Sequence, residues 1–553
     1  MLTADAIRSA AGPEAAEEIF RGLGYLVAPV DVDPEEWRRG GVALPWNGQA
    51  RLRLASRLAA FDLFTLTGDP GEEQVAAFLR AYGRYNVLTK SVLVLNKAHH
   101  IAVFDLSQKG SLRRLDVDLR SPSRHAVDQL NLLAFSGEHL ALSRICDRAL
   151  GREHLTRQFF QRFRTAVAET AEALRDACPT EDPQAVSAEA LLLLSRLLFL
   201  TFVQQKGWLN RERRFLVDRL ERSIEQGREF FASTLIPLFF GCLNTPLTLR
   251  TADALDLGTV PYLNGGLFEP SAFEVRNRDL HLPNGLLQRV IEGVFERFDF
   301  SVDERDSAGA HVDPEMLGKV FESLMEADER TASGSFYTPK AIVDVLVDRA
   351  VTAWLDRAEE PPGNPAQVLR RLEQIRVLDP ACGSGAFLLS ALATIERVYC
   401  AYAAAAGESV PVDLRTRIVE RSLFGVDVKA EAVRLCELRL WLAIVSETSC
   451  SAELVRPLPN LDRNILQGNS LLGPSDFLGD ARLDLYAEWA GALAAQRDLV
   501  DRYRHAAQAE RPALYRMIRG NDRRLVGDLL VRAIEADEHE LARATAPRRD
   551  LFG

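Results

Sequence analysis

The sequence predicts an α/β fold, and three stretches of the chain carry that prediction. Residues 377–390 read as an apolar strand, a glycine turn and the start of an amphipathic helix. A second strand, 423–427, ends on Asp427 and leads into a helix, and a third candidate strand covers 464–472. Repeated strand–helix units build parallel sheets that bind ligands at the carboxyl ends of their strands, so we expect a Rossmann-like core here.

The turn after the first strand is the candidate binding element. Asp379 ends the strand, and Gly383 and Gly385 allow a tight turn and a close approach of the backbone to a ligand. A dinucleotide fingerprint fits less well, because it requires a third glycine where Leu388 stands and an acid about 20 residues further on. A purely structural strand, turn and helix remains the alternative.

Length and composition indicate an ordinary globular chain of several domains. At 553 residues the chain predicts about two to four domains. The N-terminus lacks a basic region followed by an apolar core, and no run of about 18 uncharged apolar residues occurs. We therefore expect a cytoplasmic protein. The apolar run 191–200 is short enough to belong to a buried core helix over 188–205.

The cysteines predict neither a zinc site nor a disulfide framework. None of the seven falls in a Cys-x-x-Cys pair, and most are expected to be buried small apolar residues. No metal is predicted. The cysteines are Cys146, Cys178, Cys242, Cys382, Cys400, Cys436 and Cys450.

The net charge of −11 is unfavourable for a DNA-binding protein, because duplex binding relies on Lys and Arg to neutralise phosphates. Local basic clusters exist at 144–164 and 206–222. Each is either a DNA-contacting surface or a solvated helix face, and the sequence leaves both interpretations open.

Composition also predicts where the domains lie. Residues 1–135 mix short β-type runs, such as 61–67, with helical stretches and predict a small α/β module. The pattern from 136 to 330 is helical, and 479–553 is a polar helical extension rich in Ala and Arg. Residues 331–478 between them hold the Rossmann-like core.

Four motifs in this core resemble those of a known family. Residues 377–390 read Val-Leu-Asp-Pro-Ala-Cys-Gly-Ser-Gly-Ala-Phe-Leu-Leu-Ser and resemble motif I of the methyltransferases that use S-adenosylmethionine, especially the N6-adenine DNA enzymes. Gly-Ser-Phe-Tyr-Thr-Pro-Lys at 334–340 is similar to motif X, 423–427 to motif II and 464–472 to motif III. The resemblance covers roughly residues 190–475 and implies S-adenosyl-L-methionine as cofactor and double-stranded DNA as partner.

Loops before the core resemble those of one group within this family. Residues 260–269 and 312–322, together with 202–209, resemble the corresponding region of large adenine-specific enzymes of type IIG restriction, BREX and DISARM systems. Some of these relatives carry an N-terminal nuclease that needs a Glu-x-Lys on a strand to hold a metal ion. The strand 61–67 has no Glu-x-Lys, so we expect a degenerate nuclease-like module or an interaction domain.

The resemblance implies a cofactor site at the strand ends. Asp427 would accept hydrogen bonds from the ribose hydroxyls, with a plain helix cap as the alternative. Asn469 would meet the adenine ring, with a simple turn residue as the alternative. The full implied set of cofactor-binding residues is Phe336, Tyr337, Thr338, Pro339, Asp379, Pro380, Ala381, Gly383, Gly385, Phe387, Asp427 and Asn469.

The catalytic motif IV of the family, (Asn/Asp/Ser)-Pro-Pro-(Tyr/Phe/Trp), does not occur in this sequence. In the family it holds the amino group of a flipped adenine, so no catalytic residue is assigned. The nearest string, 361–365, lacks the aromatic residue and reads as a linker. We therefore expect an incomplete sheet with an unpaired edge, in a split or truncated enzyme.

Two function classes follow from these observations. The first is the S-adenosylmethionine-binding part of a site-specific DNA adenine-N6 methyltransferase, completed by a second polypeptide that carries motif IV and target recognition. The second is a non-catalytic S-adenosylmethionine-binding scaffold subunit of a defence complex, and a truncated inactive fragment is a further possibility.

Overall fold

The chain folds into mixed α/β structure. The computed structural model describes residues 1–10, 12, 14–42, 44–46, 50–58, 61–86, 89–107, 111–135, 142–263, 266–300, 312, 338–356, 364–447, 455, 457–461, 463–472, 482–505 and 510–545. The chain forms two compact units. The first comprises residues 1–339, 384–389 and 434–460, and the second comprises 340–383, 390–433 and 461–553.

The first unit begins with a six-stranded sheet in the order β1-β2-β3-β4-β5-β6. Strands β3 and β4 are parallel and the other neighbouring pairs are antiparallel. The strands are β1 (Val30–Asp31), β2 (Arg51–Leu58), β3 (Phe61–Thr67), β4 (Lys90–Lys97), β5 (His100–Leu106) and β6 (Leu112–Asp118). The helices of this part are α1 (Ala4–Ser9), α2 (Ala15–Gly22), α3 (Pro34–Arg39), α4 (Glu72–Tyr85), α5 (Arg124–Leu132) and α6 (Leu142–Leu150).

Both faces of this sheet are covered by apolar side chains. Leu63 packs in one layer with Phe20 of α2, whereas the next residue, Phe64, packs in the other with Phe78 of α4. Neighbouring strand residues point to opposite faces, which explains why successive residues of β3 enter different cores. The predicted strand 61–67 is confirmed.

The N-terminal α/β module, for which a degenerate nuclease is one of the predictions, contains the buried carboxylate of Glu17. Glu17 of α2 accepts hydrogen bonds from Arg53 Nη1 at 3.1 Å and from Thr65 Oγ1 at 2.8 Å, and the sheet register pairs Arg53 with Thr65. Across the described parts of the chain, no three His, Cys, Asp or Glu side chains are grouped so that they could hold a metal ion. The nuclease-like origin of this module stays a prediction.

The rest of the first unit is mainly helical up to residue 300. Its α-helices are α7 (Arg152–Ala177), α8 (Pro183–Gln205), α9 (Phe215–Glu225), α10 (Ala252–Leu255), α11 (Ala272–Arg276) and α12 (Asn284–Val290). Three π-helical segments, Phe231–Leu235, Pro237–Leu243 and Ile291–Phe295, and a 3₁₀ turn, Leu247–Leu249, lie among them. We call residues 142–300 the helical domain.

Helix α8 is the core helix that the sequence predicts. It and α15 (Ala386–Ala406) are the described helices long and apolar enough to cross a membrane by composition, but 89% of the apolar window of α8 is buried inside the protein, against 44% for α15. Within α8, Arg196 is fully buried and its guanidinium bonds to Glu274 at 2.6 Å and to the carbonyls of Leu267 and Glu269, both at 2.8 Å. A buried charge needs such complete pairing to be tolerated.

The second unit contains a three-stranded parallel sheet in the order β7-β8-β9. The strands are β7 (Val377–Asp379), β8 (Leu423–Asp427) and β9 (Ile465–Gln467). The helices α13 (Lys340–Asp356), α14 (Pro365–Leu372), α15 (Ala386–Ala406), α16 (Leu414–Ser422) and α17 (Ala430–Glu447) accompany it, and parts of α15 and α17 belong to the first unit. All three strands that the sequence predicts are present and parallel, but the third is shorter than predicted, because β9 covers 465–467 and the rest of 464–472 lies outside the strand.

Helix α13 differs from its predicted packing. Its apolar spacing predicts six core residues, Ile342, Val343, Leu346, Val347, Val351 and Trp354. The structure buries the three valines and half-buries Trp354, whereas Ile342 and Leu346 are each about half exposed. The prediction was wrong for these two, because residues spaced by four form one narrow stripe and the adjoining apolar positions point away from it.

The C-terminal extension forms two helices, α18 (Arg482–His505) and α19 (Arg511–Thr545). Leu499 of α18 packs with Leu514 and Ile518 of α19 in a small apolar cluster. Asp522 of α19 pairs with Arg463, next to β9, and so ties the helices to the second unit. The predicted helical character of this segment is confirmed.

Candidate functional site

The carboxyl ends of β7 and β8 place two acidic side chains at one edge of the sheet. The parallel register pairs Asp379 with Gly425, and Asp427 with Gln467 of β9. Asp427 thus lies two residues beyond the position opposite Asp379. The ends of parallel strands are where α/β folds bind their ligands, which makes this edge the candidate site.

Asp427 connects the glycine turn to the start of α17. Its Oδ2 accepts from the backbone N–H of Gly383 at 2.8 Å, and its Oδ1 accepts from that of Lys429 at 2.9 Å. A carboxylate offers roughly four acceptor positions, so about two remain available for other donors. Lys429 precedes the first residue of α17, Ala430, so this bond closes a turn before the helix and does not cap a helical N–H, and the carboxylate keeps capacity for a ligand.

Asp379 has an unusual environment for a carboxylate. Its Oδ1 accepts from the backbone N–H of Ala381 at 3.1 Å, but its buried Oδ2 has no hydrogen-bond partner within the described residues. Burial raises the pKa of the Asp379 carboxyl, the bond from Ala381 opposes this rise, and the nearby charge of Asp427 adds to it. A buried acceptor without a partner is costly, so the site favours a ligand that brings a donor or a positive charge.

The two turn glycines have different surroundings. Gly383 has φ +52°, and a Cβ added there would meet no atom within 4 Å in the described part of the chain. Gly385 has φ +83°, and a Cβ there would lie 2.6 Å from Cys436 Sγ. The sequence assigned both glycines to ligand approach, yet only Gly383 has the open space that this role requires.

The turn after Asp379 contains two predicted site residues and contacts one that the sequence analysis missed. The predicted residues, Pro380 and Ala381, are exposed, as a contact surface for a ligand would be. Ser470, which follows β9 and was missed, donates its hydroxyl to the carbonyl of Pro380 at 2.7 Å. Asn464 precedes β9, at the opposite edge of the sheet, where it is buried and its Nδ2 donates to the carbonyls of Val419, Glu420 and Leu423. An Asn or Ser flanking a short strand is too common a pattern to reveal such contacts in advance.

Asn469 occupies an exposed turn after β9. Its Oδ1 accepts from the backbone N–H of Leu471 at 3.0 Å, which is the turn role that the sequence left open. The adjacent Gly468 donates its N–H to the carbonyl of Asp427 at 2.8 Å and keeps this turn beside the end of β8. The Asn469 Nδ2 group is not engaged by this bond, and its role toward an adenine ring stays a prediction.

The residues predicted from motif X are only partly described. Phe336 and Tyr337 lie outside the described residues. Thr338 is half-buried and Pro339 is exposed, and α13 begins one residue later, at Lys340. Phe387 is half-buried in the first turn of α15. The role of these residues toward a cofactor stays a prediction.

The basic cluster at 206–222 is largely committed to the protein itself. Lys206 Nζ donates to the carbonyl of Ser446 at 2.7 Å, and Arg219 stacks on Phe215. Arg214 lies 3.7 Å from Glu296. These partners favour a structural role for the cluster, which was one of the two interpretations that the sequence allowed.

The comparisons with known proteins identify the class of domain. Residues 312–454 match the family model described as N-6 DNA Methylase. This segment includes the glycine turn, both strand-end carboxylates and all of α17. The resemblance predicted from the motifs is thereby confirmed at the level of the family domain.

Three curated relatives are similar to this chain. A provisionally named type II restriction enzyme and methyltransferase of Methanocaldococcus jannaschii is 30% identical over 334 residues, 51% of this chain and 27% of the relative. The adenine-specific methyltransferase PglX of Streptomyces coelicolor is 26% identical over 37% of this chain and 16% of its own length. DNA methyltransferase A of Bacillus subtilis is 26% identical over 43% of this chain and 25% of its own length. The chain thus spans about a quarter or less of these relatives.

Two solved structures are similar to this chain, with TM-scores below 0.5. The type IIL restriction-modification enzyme MmeI in complex with DNA has a TM-score of 0.40 and 19% identity, covering 58% of this chain and 42% of that one. The DrdV–DNA complex has a TM-score of 0.25 and 13% identity, covering 80% of this chain and 37% of that one. Scores below 0.5 are too low to establish a shared fold.

The raised pKa of Asp379 predicts that binding of a cationic ligand at this edge would depend on pH. The pKa of Asp379 is raised above its usual 3.8, so in the absence of ligand it takes up a proton at a higher pH than an exposed Asp does. A cationic ligand binds the ionised form, and its affinity should therefore fall as pH drops through that raised pKa. We expect binding titrations at successively lower pH to show this loss, and Asp379→Asn to bind weakly with little pH dependence. An equal pH dependence in Asp379→Asn would assign it to another group.

Proposed function

We propose that residues 331–478 bind S-adenosyl-L-methionine for methyl transfer to the N6 amino group of adenine in double-stranded DNA. The observation that carries the proposal is the buried Asp379 oxygen beside Asp427, which has no partner among the residues that the structure describes, within the segment that matches the N-6 DNA Methylase model. The similarity to curated DNA methyltransferases supports the same conclusion.

The chemistry of these residues suits the cofactor. S-adenosylmethionine carries an ammonium group, a sulfonium and two ribose hydroxyls, and it supplies the methyl group. The ammonium would satisfy Asp379, and the ribose hydroxyls would donate to the free acceptor positions of Asp427. Gly383 would allow the backbone to approach the cofactor, and Asn469 would contact the adenine ring.

We propose that the other residues of the implied set complete this site. Pro380, Ala381 and Gly385 would shape the turn that follows Asp379, and Phe387 would lie beside it at the start of α15. The motif X residues would line the methionine end of the cofactor, and they are Phe336, Tyr337, Thr338 and Pro339.

A second polypeptide would supply motif IV and target recognition. The 553 residues contain no (Asn/Asp/Ser)-Pro-Pro-(Tyr/Phe/Trp) sequence. In the described sheet, β7 pairs with β8 and has no strand on its other side, and Leu378 in the middle of β7 is 63% exposed. The free backbone edge of β7 is a surface to which another strand can be added, and the Leu378 side chain, on the sheet face beside that edge, would be covered by the same polypeptide.

This proposal predicts a specific defect for Leu378→Gln. The variant should bind S-adenosylmethionine like the wild type, because Leu378 lies outside the cofactor-contacting set. Association with the motif IV polypeptide should weaken about tenfold, because an apolar interface contact is lost. The matched control is Val412→Gln, a fully exposed residue of the same unit, which should change neither quantity. Unchanged association of Leu378→Gln would rule out β7 as the docking edge.

The function is tested by reconstitution. The chain would be mixed with a polypeptide that contains Asn-Pro-Pro-Tyr or a close variant, encoded beside this gene, together with DNA and S-adenosylmethionine labelled in the methyl group. We expect N6-methyladenine on nucleoside analysis by mass spectrometry, and no product when the Asn of that motif is replaced by Ala. A methylated cytosine product, or no product although the cofactor binds, would contradict the proposal.

The second candidate is a non-catalytic S-adenosylmethionine-binding scaffold subunit of a defence complex. The two functions differ in one outcome, since the scaffold would bind the cofactor and yet support no methyl transfer with any motif IV polypeptide. Either function belongs in a cytoplasmic restriction-modification or phage-defence system of the BREX or DISARM kind, as the sequence resemblance implies.

A further inference from the structure

The middle of the glycine turn is held by a buried arginine of α17. Arg439 Nη1 donates to the carbonyl of Ser384 at 2.7 Å and to its hydroxyl at 3.1 Å. Only 4% of Arg439 is exposed. Hydrogen bonds from a guanidinium are roughly twice as strong as those between neutral groups. A side chain of another element therefore fixes the residue that stands between the two glycines.

An external contact is needed here because of the sequence of the turn. Gly383 and Gly385 flank Ser384, and both adopt positive φ. Glycines lose more conformational freedom on ordering than other residues do. The flanking glycines are themselves bonded, Gly383 through its N–H to Asp427 at 2.8 Å and Gly385 through its carbonyl to the N–H of Leu389 at 2.9 Å, and Arg439 adds the bond at Ser384 between them.

The same face of α17 makes a second contact with the turn. Cys436 lies three residues before Arg439, and residues three apart on a helix share a face. The Cys436 side chain is fully buried, and its Sγ lies 2.6 Å from the position that a Cβ on Gly385 would take. Two neighbouring side chains of α17 thus define the position of Ser384 and Gly385.

Helix α17 is itself anchored to the helical domain, within the same compact unit. Lys206 at the end of α8 donates to the carbonyl of Ser446 in the last turn of α17 at 2.7 Å, which satisfies a helix-terminal acceptor. The buried Trp441 donates its indole N–H to the carbonyl of Pro459 at 2.9 Å. Residue Leu458 in turn donates to the carbonyl of Leu263 at 2.6 Å.

We propose that Arg439 is a positioning residue for S-adenosylmethionine binding, through which the helical domain orders the cofactor turn before the cofactor arrives. The inference rests on the proposed function and adds a residue outside the cofactor-contacting set. When the turn is already ordered, the cofactor does not have to order it on binding. Loss of Arg439 therefore transfers that ordering cost to the binding step.

Two readouts test this role. The first is the dissociation constant for S-adenosylmethionine, which Arg439→Met should raise about tenfold through the added cost of ordering one residue. The second is hydrogen–deuterium exchange in the ligand-free protein, where the amides of 382–387 should exchange faster. Arg439→Lys keeps a charged donor on a similar stem and should restore most of both values.

The matched control is Arg434→Met on the same helix. Arg434 is half exposed and pairs at 3.5 Å with Glu437 of its own helix. It makes no contact with the turn in the structure as described, and its replacement should change neither readout. If Arg439→Met does not fold, Ser384→Ala removes the hydroxyl acceptor alone and should raise the dissociation constant about threefold.

Each outcome is decisive. Unchanged affinity and unchanged exchange in Arg439→Met would overturn the inference. So would faster exchange throughout α17 without rescue by Arg439→Lys, because that pattern indicates general destabilisation. If the wild type does not bind S-adenosylmethionine, the proposed function fails and with it the cofactor-binding role of Arg439, while the exchange data still show whether Arg439 orders the turn.

Discussion

Replacing Asp427 with alanine should weaken S-adenosylmethionine binding about 100-fold or more. Asp427 accepts hydrogen bonds from the backbone N–H groups of Gly383 and Lys429. Its remaining acceptor positions would bind the ribose hydroxyls of the cofactor. Hydrogen bonds to a charged group contribute about 1.5–3 kcal/mol each, so the loss of two corresponds to at least about two powers of ten in the dissociation constant. Isothermal titration calorimetry of the purified variant measures this change.

Two further variants separate the charge of Asp427 from its geometry. Asp427→Asn keeps one acceptor oxygen and should bind with an intermediate affinity, about tenfold weaker than the wild type. Asp413→Ala removes a carboxylate of the same unit that pairs with Arg417 at 2.9 Å, outside the strand ends, and should leave the affinity unchanged. Wild-type binding by Asp427→Ala would remove Asp427 from the site.

Replacing Gly385 with alanine should destabilise the fold by about 2–4 kcal/mol. Part of this cost is the strain of an L-residue at φ +83°, and the larger part is the Cβ lying 2.6 Å from Cys436 Sγ. Urea denaturation followed by circular dichroism measures the free energy of unfolding. The double variant Gly385→Ala with Cys436→Ala should lose less stability than the sum of the single variants.

Two other glycines distinguish packing from strain. Gly407 has φ +70° and open space around a built Cβ, so Gly407→Ala should cost only about 1 kcal/mol and leave cofactor binding unchanged. Gly383→Ala should cost a similar amount of stability but impair cofactor binding, because its Cβ would enter the space that the ligand approaches. Equal stability losses for Gly385→Ala and Gly407→Ala would contradict the packing role of Gly385.

The strand ends of this fold could be predicted from sequence because they depend on local order. An apolar strand, an acid and a following helix recur at Asp379 and at Asp427, and parallel sheets bring such positions to one edge. The structure confirms the strands and places both carboxylates there. Helix α8 was predictable for a similar reason, since its long apolar run could only be stable when buried.

The contacts between elements could not be predicted in the same way. The different surroundings of Gly383 and Gly385 depend on Cys436, about 50 residues away in the chain. Arg439 gave one usable signal, a lone charge within the apolar run Leu438-Arg439-Leu440-Trp441-Leu442. That signal indicates a buried polar contact but does not reveal its partner. For α13, the spacing of the apolar residues predicted a helix. It did not predict how many of these residues would be buried.

Binding of S-adenosylmethionine to the wild-type chain tests the central claim most directly. Isothermal titration calorimetry should show one saturable site per chain with a dissociation constant of roughly micromolar order, and S-adenosylhomocysteine should compete for it. The affinity for S-adenosylmethionine should also fall in Asp379→Asn and Asp427→Ala. Absence of binding up to about 1 mM cofactor, or binding that both variants retain, would contradict the assignment of the strand-end site.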